Sequence, residues 1–593
     1  MTKLQEEYDA LLHKYEFSDN QSGEVSKVVR KSLIDFTREC KKPAIWCYGK
    51  HTQMLMADFM AELKEVKYII DKNASKYEDA GFRFITEDQI ETQNVDGVII
   101  STYEFRDNVR REIEAKHPGL KFLDIYDELK AAGLPVTWGY YQHGPHMQYN
   151  TIISLQNDLH NCVNDSECPE LYRNIIEKYL QIKDFKSALY YANEAAARFE
   201  AGRFEEIAVD INLLYDHELE AAAKVSEGSV LMLCLDGLRR EDILNHSMPQ
   251  IQLLLSRRAL IYDNAYSVST STYESLIPAY GEHNSFNTEY YKTIEVPEGG
   301  CRFINRAKEL RREIYSYTDQ DKYFAERDIH CHTELISAAA KFWAMLNDAE
   351  DVENGLYYIH IQHETHFSFS NPYISGTPVT KGTHIFFDFL KTNGGYYQAD
   401  YMLQHRDTVH YLDDILFPFL EKLPCKIVIY ADHGNIVPDV RQGLESLPAP
   451  LFSYSEQLLR IPFAVISPQI KHGRNHDLFS LMRINEVVID LLNDEDVKAG
   501  HAGHIKCQRS EIYNPDLRYI YKQYDKEHEL LAFETFIFDD GYKLSIYGDG
   551  SLKLSRAGDD VFIDDIDLTK EKLSEIKGEI TVCKLDKISL VEL

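Results

Sequence analysis

The sequence predicts an α/β protein of several domains, on three observations. Its 593 residues exceed what one hydrophobic core usually holds. Short apolar runs recur along it, separated by helix-sized amphipathic spacers, the pattern of parallel strands covered by helices. One all-helical stretch interrupts that pattern, and a strand- and turn-rich stretch ends it. These changes divide the chain into 1–145, an N-terminal helix plus a small α/β domain; 146–227, a helical linker domain; 228–520, a large α/β domain; and 521–593, a β-rich appendage.

Residues 1–40 are expected to be helical, since Leu11, Leu12, Tyr15, Phe17, Val28, Leu33 and Phe36 keep a loose apolar face. From 43 to 130, PAIWCYGK, VKYIIDK, FRFITEDQI, DGVIIST and LKFLDIY read as strands, and QMLMADFMAELKE and FRDNVRREIEAK as helices. This stretch resembles the small Rossmann-like domains attached to bacterial glycan-modifying enzymes and sugar methyltransferases. Gly49 and Asp71 stand where a nucleotide fingerprint would lie, yet YGKHTQM lacks the second and third glycines of GxGxxG, so a scaffold or docking role is the expectation. Residues 150–225 read as all helix, and ELYRNIIEKYLQIKDFKSALYYANEAAARF forms a single hairpin of the tetratricopeptide kind without a second copy. SVLMLCLD, LYYIHIQ, KIVIYAD and PFAVISP are the strands of a large parallel-type sheet over 228–500. Over 528–593, LLAFETFIFDDGYKLSIYGDGSLKL with its DDG and GDG turns predicts a small antiparallel sheet, with one helix near 569–577.

Composition excludes several functions. The formal charge of -32, without an offsetting basic stripe, repels phosphate backbones, so no nucleic acid is expected as a partner. The start, MTKLQEEYDALLHKYEFSD, lacks the apolar core of a signal peptide, and no run of about 18 apolar residues spans a membrane. The expectation is a cytoplasmic chain whose ten scattered cysteines are reduced thiols. His330-Cys331-His332 lacks spaced partner ligands and reads as structural.

Three stretches carry chemistry. The apolar strand KIVIY runs into Ala431-Asp432-His433-Gly434, and ligands of open α/β sheets sit at the carboxyl ends of strands. A carboxylate beside an imidazole suits Zn or Mn. SVLMLCLD also ends a buried strand on a carboxylate, Asp236, which is costly unless paired or bound to a cation. DNAYSVSTSTYESLIPAYG then offers Ser269, Thr270, Ser271, Thr272 and Ser275, any of which a divalent cation could activate towards phosphorus.

In this order the three stretches resemble the alkaline phosphatase superfamily, in its sulfatase-like branch, and in style the bacterial phosphoethanolamine transferases and phosphoglycerol (lipoteichoic acid) synthases. Asp236 matches the family's first strand-ending acid. Asn264, Ala265, Tyr266, Ser267, Ser269, Thr272 and Ser275 match N-A-Y-S-x-S-x-x-T-x-x-S, and Asp432, His433 and Gly434 match Asp-His-Gly. PFAVISP and SLMRINEVVIDLL follow where the family has its last strand and helix, so the resemblance covers roughly 228–500. It implies an alkaline-phosphatase-like large mixed sheet flanked by helices, a divalent metal (Zn or Mn) held by Asp236, Thr272, Asp432 and His433, and Thr272 as the nucleophile. It also implies histidines near the substrate phosphate, for which LYYIHIQHETHFSFSNPY supplies His366 first, then His360, with His363 as a packing or capping residue and His476 as a weaker candidate. Phosphoethanolamine transferases carry a further His downstream of Asp-His-Gly, whereas NIVPDVRQGLESLP has none.

The implied activity is transfer of a substituted phosphoryl group (phosphoethanolamine, phosphoglycerol or the O-methyl phosphoramidate type of bacterial capsules) from an activated donor to a glycan hydroxyl, through a phospho-threonine. Relatives are usually membrane-anchored; with no anchor here, a soluble donor is expected. The alternative is a phosphodiesterase or phosphatase using the same site with water. A sulfatase requires C/S-x-P-x-R, and Ser271 is followed by Thr-Tyr-Glu-Ser. A non-catalytic binding module would not need Asp236, Thr272, Asp432 and His433 together.

Overall fold

The computed structural model describes residues 2–588 except 18–21, 78–81, 103–105, 133–144, 163–165, 201–202, 245, 287, 289, 319–321, 334–336, 363, 365–397, 436–454, 498–502, 514–517, 519–520 and 523–526. The chain forms two compact units: residues 14–155, and residues 1–13 together with 156–593.

In the first unit, β1 (Pro43–Trp46), β2 (Tyr68–Ile70), β3 (Arg83–Ile85), β4 (Gly97–Ile100) and β5 (Lys121–Asp124) form one parallel sheet in the order β3-β2-β1-β4-β5. Alternate side chains go to opposite faces. Ile45, Ile69 and Ile99 pack with Val29, Leu33 and Phe59, while Ala44, Ile70 and Val98 pack with Val109 and Ile113. Both faces are thus apolar, which is why these strands read as unbroken hydrophobic runs. Asp71, just past β2, accepts the backbone N–H groups of Tyr48 and Asn73.

The second unit holds the expected helical hairpin, Cys168–Gln181 and Phe185–Arg198, followed by the helix Phe204–Ala222. Asp184 caps the second helix by accepting Ser187 N–H at 2.9 Å.

The large sheet contains β6 (Val230–Leu235), β7 (Ala259–Tyr266), β8 (Glu313–Tyr317), β9 (His330–His332), β10 (Gly355–Ile361), β11 (Lys426–Tyr430), β12 (Phe463–Ile466) and β13 (Gly473–Ser480). Their order is β13-β7-β12-β11-β6-β10-β8-β9. Every pair is parallel except those made by β12, which runs against both β7 and β11. The sheet is therefore mixed where strand patterning alone suggested a parallel type, because a chain direction leaves no mark on an apolar run. β6 and β11 lie side by side at its centre, fully buried.

The last sheet is antiparallel, β14 (His504–Arg509), β15 (Phe533–Phe538), β16 (Tyr542–Tyr547) and β17 (Leu552–Arg556), and the helix Ile566–Ile576 covers its core. The expected turn glycines Gly541 and Gly550 take φ of 87° and 92°. Among the described residues, no helix is long and apolar enough to cross a membrane, and no disulfide is formed. His330 and His332 sit on the edge strand β9, where they face Glu313 and Asp348.

Candidate metal centre and nucleophile

The register of β6 and β11 builds the site. Cys234 pairs with Tyr430, and each chain places a carboxylate two residues further on, Asp236 and Asp432. The two acids therefore leave neighbouring strands at the same level. Gly237 follows Asp236 with φ of 65°, which turns the chain away and directs its N–H onto Asp432 Oδ1 at 3.0 Å. His433 N–H donates to the same oxygen at 2.8 Å. Asp432 Oδ2 is buried and accepts no hydrogen bond among the described residues.

His433 Nδ1 lies 2.7 Å from Gly434 O. A carbonyl only accepts, so Nδ1 carries the proton and Nε2 presents a lone pair. That lone pair faces Asp432 Oδ2 at 3.4 Å and Asp236 Oδ1 at 3.7 Å. Three acceptors turned towards one another in a buried place repel unless a cation lies between them. Burial first, and the Asp236 charge second, hold the Asp432 carboxyl above the usual carboxylate range, against the pull of the two N–H groups. Asp236, Asp432 and His433 place one ligand atom each within 4.8 Å of one another, the one such group among the described residues. This donor set fits Zn or Mn.

Thr272 completes the group. It is the first residue of the helix Thr272–Gly281, and its hydroxyl donates to Asp236 Oδ2 at 3.2 Å and lies 3.4 Å from His433 Nε2. Ser275 Oγ donates to the carbonyl of Asp432 at 2.6 Å and fastens this helix to the turn. Ser271 precedes the helix without a side-chain cap, and Thr272 stands at the end of the helix that favours negative charge. Of the five candidate hydroxyls, Thr272 is the one that meets both Asp236 and His433.

His360, on β10, is 0% exposed. Its Nε2 is 3.7 Å from Asp236 Oδ2, and its Nδ1 is 2.9 Å from the Tyr323 hydroxyl. His363 and His366 lie outside the described residues. His476 is remote from the group: it is exposed and pairs with Asp263 at 2.8 Å. Two features escaped the sequence reading. Lys341, 0% exposed on the helix Ala338–Ala349, has Glu364 and Asp236 as its charged neighbours; burial brings its ammonium down to about 8 against their pull. Asp242 is buried between Arg239 and His405; burial alone would raise its carboxyl, but Arg239, and then His405, outweigh it and hold it low. A lone lysine inside the apolar run AAAKFWAML was the available signal for the first.

No family model matches the chain, and no curated protein matches it. Several solved structures do. A 2-O GAG sulfatase is 14% identical over 60% of this chain and 91% of its own, with a TM-score of 0.42. The phosphonate monoester hydrolase of Silicibacter pomeroyi is 12% identical over 60% of this chain and 96% of its own, with a TM-score of 0.42. The C-terminal periplasmic domain of EcEptC from Escherichia coli is 12% identical over 49% and 92%, with a TM-score of 0.36, and the same domain in complex with Zn also matches. Each is a distant likeness.

Proposed function

We propose that this chain is a metal-dependent enzyme of the alkaline phosphatase superfamily, transferring a substituted phosphoryl group from a soluble activated donor to a glycan hydroxyl in the cytoplasm. One observation carries the reading: two strand-ending acids, a lone-pair imidazole nitrogen and the alcohol of a helix's first residue converge, and one buried carboxylate oxygen lacks a hydrogen bond among the described residues. The motif resemblance around Asp236, Thr272 and Asp432 supports it.

Asp236, Asp432 and His433 would hold the metal, with Thr272 beside them. Bound there, a divalent cation acidifies a neighbouring alcohol and neutralises charge on a phosphoryl oxygen. Thr272 Oγ, passing its proton to Asp236 Oδ2, attacks the donor phosphorus, forming a P–Oγ bond as the bond to the leaving group breaks. The leaving group takes a proton from a histidine, His366 or His360. The helix N-terminus beneath Thr272 favours the negative charge on the group in transit. The acceptor hydroxyl then attacks the same phosphorus and gives its proton to that histidine, the P–Oγ bond breaks, and Thr272 takes its proton back from Asp236. Phosphoethanolamine, phosphoglycerol and phosphoramidate groups all meet these demands.

The test is mass spectrometry of the Zn- or Mn-loaded chain after incubation with nucleotide-linked donors. The expected result is a mass increase on the peptide bearing Thr272, discharged on adding an acceptor glycan. Discharge by water at the same rate, with or without acceptor, makes the enzyme a hydrolase. Thr272→Ala is expected to abolish the adduct and to cut turnover by at least about a thousandfold. Full turnover by that variant overturns the reading.

A further inference from the structure

The turn carrying Asp432 and His433 and the segment leading to Thr272 share one support, residues 455–462. Gly434 N–H donates to Leu458 O at 2.8 Å, and Ala431 N–H to Pro462 O at 3.3 Å. On the other side, Ser267 N–H donates to Leu459 O at 2.8 Å, and Ile461 N–H to Ala265 O at 3.0 Å. The contact at Gly434 is so close that an added Cβ would lie 1.8 Å from Gln457 O. Any shift of this splint moves both halves of the candidate site.

The splint is gripped from the last sheet. Lys543, on β16, is 0% exposed, and its ammonium contacts Glu456 Oε1 at 2.8 Å and also Asp560. Asp560 accepts the backbone N–H of Glu456 at 3.0 Å. Glu456 Oε2 accepts the Tyr266 hydroxyl at 3.1 Å, at the last residue of β7. β14 reinforces the same place, since Gln508 N–H donates to Val268 O at 2.8 Å and Ser510 N–H to the Glu274 carboxylate at 3.1 Å. A buried lysine between carboxylates stabilises little compared with apolar packing of the same volume, but it fixes direction.

We infer that Lys543, with Glu456 and Asp560, is a positioning device of the last sheet that holds the Asp432–His433 turn and the Thr272 segment at the spacing one metal ion requires. The inference rests on the proposed metal-centred function, and metal binding separates the two. Zn or Mn alone is titrated calorimetrically into the full-length chain and its variants, with thermal unfolding followed in parallel. The wild type is expected to bind one equivalent; if it binds none, the metal-centred reading itself fails, and this inference with it.

Given wild-type binding, Lys543→Met is expected to weaken metal affinity about tenfold or more, in the manner of outer partners of metal ligands. Asp560→Asn, which keeps the Lys543–Glu456 pair, is expected to give a smaller loss in the same direction. Leu554→Ala, in the core of the last sheet, is expected to lower the unfolding temperature while leaving affinity unchanged. Wild-type affinity in folded Lys543→Met overturns the inference. If Lys543→Met does not fold, wild-type affinity in Asp560→Asn overturns it. Equal weakening by Leu554→Ala also overturns it, since loss of stability would then suffice.

Discussion

At Gly434 the geometry leaves no room for a substituent, because a methyl there would overlap a backbone carbonyl, which cannot rotate away. Gly434→Ala is therefore expected to cost about 1–3 kcal/mol of stability and, more tellingly, to weaken metal binding, since the displaced carbonyl of residue 434 is what sets the His433 proton. Calorimetric titration and a denaturant melt measure the two effects; unchanged metal affinity would show that the turn relaxes without disturbing its ligands. Asp236, Asp432 and His433 were legible in the sequence because each stands where an apolar run stops, whereas Thr272 was singled out from five hydroxyls only by the family resemblance. Tyr323, the charged neighbours of Lys341 and the Arg239–Asp242–His405 set were not legible, because only the folded chain brings these residues together. The apolar run around Lys341 signals that this lysine is buried, but not which carboxylates it faces.

The strands divide in the same way. β6, β10, β11 and β12 are buried on both faces, so their residues are apolar without interruption and announce themselves. β7 does not, because Asp263 and Asn264 break its apolar pattern; their partners, Arg474 and Arg460, come from about two hundred residues downstream. β13 begins with the polar GRNHD along the sheet edge, where exposed charge is compatible with a strand and discourages pairing with another chain. Among the helices, Asp184 offers a measurable consequence. It caps Phe185–Arg198 and accepts the Tyr411 hydroxyl at 2.8 Å, fully buried, and burial raises its carboxyl from 3.8 to about 6 despite these bonds. The folded chain thus keeps a proton that the unfolded chain has lost between those values, so this group's contribution to stability falls as pH rises through the window. Asp184→Asn preserves a capping acceptor and removes the titration. Denaturant melts at pH 4 to 7 are expected to show the variant gaining on the wild type with rising pH, by an amount on the order of 2 kcal/mol. A constant difference would mean that the carboxyl titrates normally.

For the molecule as a whole, a formal charge of -32 makes self-repulsion a standing cost of compactness. Sodium chloride shortens the reach of such repulsion from about 10 Å at 0.1 M to about 3 Å at 1 M. The unfolding temperature of the chelator-treated protein is therefore expected to rise steadily with sodium chloride, as read by differential scanning calorimetry; a fall would show that attractive pairs such as Arg110–Asp127 dominate instead. The mixed direction of the large sheet was legible only through the family resemblance and not through strand patterning, since direction belongs to the assembled sheet and not to any one strand.

The matched levels of β6 and β11 reach further. Their hydrogen-bond ladder acts as a ruler, setting the separation of the two acids by backbone spacing alone, whatever ion is offered. Such a gauge tolerates exchange of one cation for another far better than it tolerates a change in the count of residues. One codon inserted within either strand would turn its terminal acid to the opposite face of the sheet. Descendants of this gene are free to lengthen the surrounding loops, but not these two strands.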